Sequence, residues 1–478
     1  VKDLLNVSEV MIENNIIFLK TKNEIVLEDR ENQEWVYLYN YYVAEKNVAE
    51  SLIALDNYLN VNEISNFEKK LKKIEKHSDL ELSEKQREAV IAVQEHNVCV
   101  ITGGPGTGKT TIIKTIIEMY KQEEKKVVLC APTGRAAKRM SEATGEEAKT
   151  LHRLLEIGKT SSDELQNIDP NVEVAPLDAD VIIVDEVSMV DIFLMNYLLQ
   201  AIYKGTKLVL VGDSNQLPSV GPGNVLKDII QSERLTTITL NKIFRQAAKS
   251  KIILNSHKVN EGISIFSKDE QNENEELLED FFFINETNKL KVLENIISLC
   301  TGRLEKYGNY TFAQNIQVIS PTKKGELGTK ELNKSLQQAI NPESEEKNER
   351  KYIDSVFREG DRIMQIKNNY DIYWEKREPT LEMGKGVFNG EYGTILNIDE
   401  VEKKVKIKFD DDKLVWYNFD ELEQIEHSYC ITVHKAQRKR VRCSYYANST
   451  GCANVTYSYI AIHCNDKSKK ITYFNWKS

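Results

Sequence analysis

Gly103-Gly104-Pro105-Gly106-Thr107-Gly108-Lys109-Thr110 decides how this chain is read, because it satisfies G-x-x-x-x-G-K-[S/T] between an apolar run and a helical pattern. Residues 98–102 predict a buried strand and 110–123 a helix. Glycines let the backbone curl so that successive N–H groups face a polyphosphate. Lys109 adds a charge near the β- and γ-phosphates, and Thr110, followed by Thr111, offers a hydroxyl to Mg2+. The nucleotide this predicts is ATP.

Further acidic, amide and basic groups follow at strand ends. Residues 127–131 predict a second strand that ends in Pro132-Thr133-Gly134-Arg135, and loops at the C-terminal ends of parallel strands are where such sheets bind ligands. Residues 181–184 form an apolar strand that delivers Asp185 and Glu186. Asp185 suits the Mg2+ shell, and Glu186 can polarise a water for attack on the γ-phosphate. A fourth strand at 208–211 runs into Gly212-Asp213-Ser214-Asn215-Gln216, which sets Gln216 beside the γ-phosphate if that strand neighbours the Asp185 strand. Arg245, in Phe244-Arg245-Gln246, could stabilise transferring phosphoryl charge. Ser83 begins a helix with Gln86 in its first turn, and a side-chain amide can pair both a donor and an acceptor edge of adenine. Residues 156–178 are polar, and their Asp169-Pro170-Asn171 turn predicts a small hairpin.

Composition bounds the rest. The 478 residues, 41% apolar and 29% charged, suit two to four soluble globular domains. A net charge of −10 argues against wholesale coating of a polyanion, although a local basic channel can coexist with an acidic exterior. No run approaches the roughly 18 apolar residues that span a bilayer and no basic-then-apolar leader opens the chain, so a soluble cytoplasmic protein is expected. Seven cysteines without a C-x-x-C pair read as reduced thiols. Residues 1–78 alternate short apolar runs with a helical pattern and carry no chemistry. No nuclease-like cluster of acids with a lysine stands apart from the nucleotide motifs.

In order, GGPGTGKTT, APTGRAAKRM, AKTLHRLL, VIIVDEVSMVD, VGDSNQLPSVGPG and IFRQ resemble motifs I, Ia, Ib, II, III and IV of the RecD-like superfamily 1 DNA helicases. The resemblance continues through VISPTKKGELGTKELN at 318–333, GDRIMQIKNNYD at 360–371, VFNGEYG at 387–393 and ITVHKAQ at 431–437. It implies an α/β fold of two RecA-like domains with ATP in the cleft, moving 5′-to-3′ on single-stranded DNA. The first RecA-like domain would span 79–240, with a duplex-splitting hairpin near 156–178. The second would span 241–344 and 427–437, interrupted by an SH3-like insertion at 345–426 that lies over the DNA, and residues 1–78 would end a longer upstream region. By the same resemblance Gln86 reads adenine, Asp185 and Glu186 serve metal and water, and Gln216 and Arg245 sense the γ-phosphate. Pro132, Thr133, His152, Ser320, Thr322, Asn389, Thr432 and His434 would line the DNA path. The expected partners are single strands and duplex junctions met by a monomer in repair or recombination.

After Gln437 the pattern breaks. The family continues with G-S-E-[F/Y], an apolar strand and a motif like L-Y-T-A-x-T-R-A-K whose arginine reaches the γ-phosphate. Here RKRVRCSYYANSTGCANVTYSYIAIHCNDKSKKITYFNWKS has no buried-strand run. Codons for Arg438 to Val441 read one base later permit G-S-E, and later stretches permit an apolar strand and M-T-R-A-K. Residues 438–478 are therefore expected to be a tail out of register, and a chain without that arginine is expected to bind ATP and hydrolyse it weakly. The competing expectations are a nucleotide-gated single-strand-binding module and, further off, another phosphate-loop enzyme such as a nucleotide kinase.

Overall fold

The computed structural model describes residues 2, 6–30, 32–58, 67–77, 81–157, 174–242, 250–263, 281–286, 288–304, 306, 312, 316–377, 381–436, 443–447 and 470–475. Its contacts separate Val1–Phe244 from Arg245–Ser478. Arg245 and most of the 156–178 hairpin lie outside the described residues.

The first unit opens with a hairpin of β1 (Ile25–Arg30) and β2 (Gln33–Leu38), followed by the helix Tyr39–Asp56. That helix buries Ala44, Val48, Leu52 and Leu55 at helical spacing, which attaches the N-terminal segment to the core of the sheet that follows. The sheet comprises β3 (Val98–Gly103), β4 (Val127–Ala131), β5 (Ala148–Thr150), β6 (Val181–Val184), β7 (Lys207–Gly212) and β8 (Thr236–Leu240). All pairs are parallel, in the order β5-β4-β6-β7-β3-β8. Alternate side chains feed two cores. Val98, Val100, Ile182, Val184, Leu208 and Leu210 face one, and Cys99, Ile101, Ile183, Val209 and Val211 face the other. Burial on both faces explains why these strands read as continuous apolar runs.

The second unit contains two sheets. In chain order its strands are β9 (Phe281–Asn285), β10 (Ile316–Ser320), β11 (Glu349–Tyr352), β12 (Ser355–Arg358), β13 (Arg362–Gln365), β14 (Asn369–Lys376), β15 (Glu382–Val387), β16 (Tyr392–Asp399), β17 (Lys404–Phe409), β18 (Leu414–Asn418), β19 (Ile425–His427), β20 (Cys430–Thr432), β21 (Cys443–Ala447) and β22 (Lys470–Asn475). A parallel sheet runs β20-β10-β21-β22-β9, and a seven-stranded antiparallel sheet runs β15-β14-β18-β17-β16-β13-β19. The chain leaves the parallel sheet after the helix Thr329–Ile340, builds the antiparallel one and returns through β20.

A buried carboxylate joins them. Asp361, fully buried, accepts hydrogen bonds from Gln337 Nε2 at 2.6 Å, Asn341 Nδ2 at 2.8 Å, Arg358 N at 2.8 Å and the Tyr429 hydroxyl at 2.9 Å, with His427 Nε2 at 3.0 Å. Five partners meet the requirement that a buried charge be fully hydrogen-bonded.

The tail corrects the expectation that no strand follows Gln437. β21 pairs with β10, Ile316 opposite Cys443, and β22 lies between β21 and β9, Ile471 opposite Phe281. The physical reason is local: Cys-Ser-Tyr-Tyr-Ala and Lys-Ile-Thr-Tyr-Phe-Asn are rich in the aromatic and β-branched residues that favour a pleated backbone even without a long apolar run.

Candidate nucleotide site and the loops around it

β3 ends where the phosphate loop begins, with β7 on one side and β8 on the other. A Cβ on Gly103 would lie 2.8 Å from Thr107 Oγ1 and 2.9 Å from the Leu240 carbonyl, so only glycine lets the loop leave the strand here. Thr107 closes the loop by donating to the Gly104 carbonyl at 2.9 Å. Gly108 has φ 83° and caps the helix Lys109–Gln122, whose first N–H groups therefore open toward the loop. The Lys109 ammonium donates to the carbonyls of Gly103 and Gly104, the latter at 3.1 Å. Thr110 is exposed on the first turn of the same helix, and Thr111 is half-buried beside it.

Two strands away, β6 ends in Asp185 and Glu186, both half-buried. Asp185 Oδ1 accepts from the Glu186 N–H at 2.8 Å, which fixes the carboxylate against its own backbone. Glu186 has φ 60° and ψ 43°, a left-handed conformation that costs a non-glycine residue on the order of 1 kcal/mol or more. β7 lies between β3 and β6, so the condition for placing Gln216 near the carboxylate pair is met.

Sequence reasoning gave Asp213 no role, yet it organises the β7 loop. It is buried; Oδ1 accepts from Asn215 N at 3.0 Å, Oδ2 from Gln216 Nε2 at 3.4 Å, and its carbonyl from Gln216 N at 3.1 Å. Burial raises its pKa, while the Lys109 charge and the two hydrogen bonds oppose the rise and Glu186 adds to it. Asp213 thus senses the phosphate-loop lysine and the β6 acid at once. The Asp-x-Asn-Gln spacing of an Asx turn was its signal in the sequence. Thr102 and Ser214 tie β3 to the same loop, with Ser214 N donating to Thr102 Oγ1 at 3.2 Å.

Gln86 is 1% exposed and already engaged on both edges of its amide. Nε2 donates to the Thr107 carbonyl at 3.3 Å, and Oε1 accepts from Ser83 N at 2.9 Å in a reciprocal cap. In this arrangement it braces the phosphate loop.

Of the residues expected along a DNA path, Thr133 follows half-buried Pro132, and Thr133 Oγ1 caps the helix Gly134–Thr144 by accepting from Ala136 N at 3.3 Å. His152 is exposed on the helix Leu151–Leu154; the surrounding protein lowers its pKa and Asp191 opposes that. In the second unit Asn389 and His434 are exposed and Thr322 and Thr432 half-buried. Ser320 is a correction: fully buried, its hydroxyl donates to the Leu327 carbonyl at 2.6 Å, so it shapes the loop from within and its side chain does not line a surface. Among the described residues no group of three or more His, Cys, Asp or Glu forms a metal cage, and no helix is long and apolar enough to cross a membrane.

Residues 86–222 match the AAA domain family, and residues 332–409 match the SH3 domain family of ATP-dependent RecD-like DNA helicases. An ATP-dependent RecD2 DNA helicase of Deinococcus radiodurans is 33% identical over 356 residues, 74% of this chain and 44% of that protein. The RecBCD enzyme subunit RecD of Buchnera aphidicola subsp. Schizaphis graminum is 30% identical over 471 residues, 84% of this chain and 73% of that protein. A crystal structure of a Bacteroides Pif1 helicase with ADP-AlF3 and single-stranded DNA covers 82% of this chain and 92% of its own at 16% identity, with a TM-score of 0.46. The chain spans less than half the length of the Deinococcus relative.

Proposed function

The chain belongs to the RecD-like helicase family, and from that premise we propose that it uses ATP hydrolysis to move 5′-to-3′ on single-stranded DNA and to open duplex ahead of it. The observation that carries this reading is the strand order β6-β7-β3, which brings the carboxylate pair, Gln216 and the phosphate loop to one edge of one sheet.

In this reading the loop amides and Lys109 take the triphosphate, and Lys109 exchanges its two carbonyl partners for phosphate oxygens. Thr110 and Asp185 are hard oxygen donors of the kind Mg2+ prefers, and that ion would neutralise charge on the β- and γ-phosphates. Glu186 accepts a proton from the attacking water, with Gln216 orienting groups at the γ-phosphate and Arg245 supplying a cation. Gln86 reaches adenine only by giving up its cap and loop contacts, so nucleotide entry and loop bracing compete for one side chain. Thr133, His152, Thr322, Asn389, Thr432 and His434 contact the strand through hydroxyls, rings and backbone amides, which favours phosphate and sugar contacts over base reading.

The test is ATP turnover with and without oligo(dT), alongside unwinding of forks that carry a single 5′ or 3′ tail. Stimulation by the strand and unwinding from the 5′ tail are expected. Glu186→Gln should lower turnover about 10²–10⁴-fold while ATP still binds. Turnover indifferent to DNA overturns the reading.

A second reading rests on residues 438–478, which do not carry the arginine motif the family resemblance implies. It makes this chain a nucleotide-gated single-strand binder. ATP-dependent retention of oligo(dT) without appreciable turnover would select it.

A further inference from the structure

The antiparallel sheet of the second unit buries one face in the alternating pattern Val405, Ile407, Phe409 on β17 and Val415, Tyr417 on β18. The intervening residues stand on its other face, where side chains are ordinarily small and polar. Here that face carries a band of rings and amines. Lys406 is paired across strands with Trp416. β14 continues the sheet with Trp374 opposite Val415 and Glu375 opposite Leu414, which brings Tyr373 level with Trp416. Tyr373 is in turn paired with Lys385 on β15.

The result is a row across four strands, Lys406–Trp416–Tyr373–Lys385, with each ring flanked by an ammonium group. Lys385 Nζ lies 4.5 Å from the Tyr373 ring centre and Lys406 Nζ 5.1 Å from that of Trp416. The rings remain open: Tyr373 is 66% and Trp416 42% exposed. β17 extends the positive charge along its outward side through Lys404, Lys406 and Lys408, although Lys408 also reaches Asp412 at 3.0 Å. Such exposed pairs are weak and easily exchanged. Alternate residues of a strand stand about 6.8 Å apart, so the three amines form a line that an extended phosphate backbone can follow.

We propose that this face of the antiparallel sheet is a stacking platform for single-stranded DNA, with bases on Trp416 and Tyr373 and phosphates on Lys404, Lys406 and Lys408. The inference rests on the reading that the chain binds single strands, and it adds a site whose residues are separate from those expected along the DNA path. Exposed aromatic faces bordered by amines suit a sequence-tolerant strand, because every base has a stacking face. A chain with net charge −10 gathers cations here against its overall sign.

The experiment is fluorescence anisotropy of labelled oligo(dT) with the full chain across a salt series. Two variants are compared with the parent: Tyr373→Ala/Trp416→Ala, and Lys404→Gln/Lys406→Gln/Lys408→Gln. The substituted side chains all stand on the outward face, and matched melting temperatures with unchanged binding of a fluorescent ATP analogue would show that fold and nucleotide site are intact. The aromatic variant should bind on the order of tenfold or more weakly. The lysine variant should flatten the slope of log affinity against log salt by about 2, at about 0.7 for each phosphate no longer neutralised. If the parent binds and either variant matches it, the platform is overturned and the proposed function stands. If the parent binds no single strand with or without nucleotide, both fall.

Discussion

Glu186 holds a left-handed backbone at the end of β6, one residue after the carboxylate that its own N–H fixes. Strain of that kind persists only where surrounding packing over-determines it, and here fully buried Val184 and Val187 flank the turn. Asp213 imposes order on the neighbouring loop by hydrogen bonds, because its second oxygen holds the Gln216 amide. Asp213→Asn should slow ATP turnover about tenfold or more with little change in ATP affinity, since one oxyanion-type donor placed wrongly costs that much. The double variant with Gln216→Ala should be no slower than Gln216→Ala alone; additive losses in steady-state kinetics would show that Asp213 acts elsewhere.

Lys207 gives a pH test at the same scale. It is buried, donates to the Gln94 and His96 carbonyls at 2.9 Å each, and burial lowers its pKa from 10.5 to about 8, with Cys99, Asp56 and Glu123 opposing. Between pH 8 and 10.5 the unfolded lysine therefore holds a proton that the folded one has released, so this site adds stability as pH rises. Cys99, raised by burial to about 12, works in the opposite sense above pH 9. The comparison must therefore be a difference: denaturant unfolding at pH 8 and pH 10 should show the stability of the parent relative to Lys207→Met growing with pH.

Among elements, the joint between the two sheets of the second unit is the most constrained. Asp361 draws one donor from each of Gln337, Asn341, Arg358, Tyr429 and His427, which come from the helix Thr329–Ile340 and its end, the antiparallel sheet and the returning strand. Asp361→Ala leaves those donors buried with nothing to satisfy them, and denaturant unfolding of the full chain should show a loss of about 3 kcal/mol or more. Asp361→Asn should also destabilise, because an amide places a donor against donors. The stretch GDRIMQIKNNYD is legible as a motif, but nothing in its letters says that its aspartate closes a joint to residues 337 and 427–429. That role depends on contacts more than sixty residues apart along the chain, such as Asp361 with His427. The strands themselves were easier to read. Residues 127–131 and 181–184 are observed with those bounds, and 98–102 and 208–211 extend by a residue or two, because burial on both faces leaves unbroken apolar runs.

For the whole molecule, the parallel sheet of the second unit is completed from its C-terminal region. β21 and β22 occupy the two places between β10 and β9. Ending the chain after Gln437 removes both and leaves β9 without its neighbour, so the truncated protein should melt at lower temperature and less cooperatively than the full chain, as calorimetry would report. Equal melting would mean that these strands contribute nothing to the fold. The nucleotide sequence across the codons for Ala436 to Ser444 tests the register separately: bases that read G-S-E one position later are expected.

The sequence by itself determined the phosphate loop, the Asp185–Glu186 pair at a strand end and the order of the parallel strands' loops, because these follow from local rules: residue type, apolar period and turn chemistry within a few positions. Only the tertiary structure decided that Gln86 braces the loop, that Ser320 points inward, that Asp213 holds Gln216, and that Tyr373 and Trp416 share an open face. Each of these depends on which strand lies beside which and how far the chain turns a side chain into the core. Those are properties of packing between distant segments, where burial and hydrogen-bond satisfaction outweigh local preference.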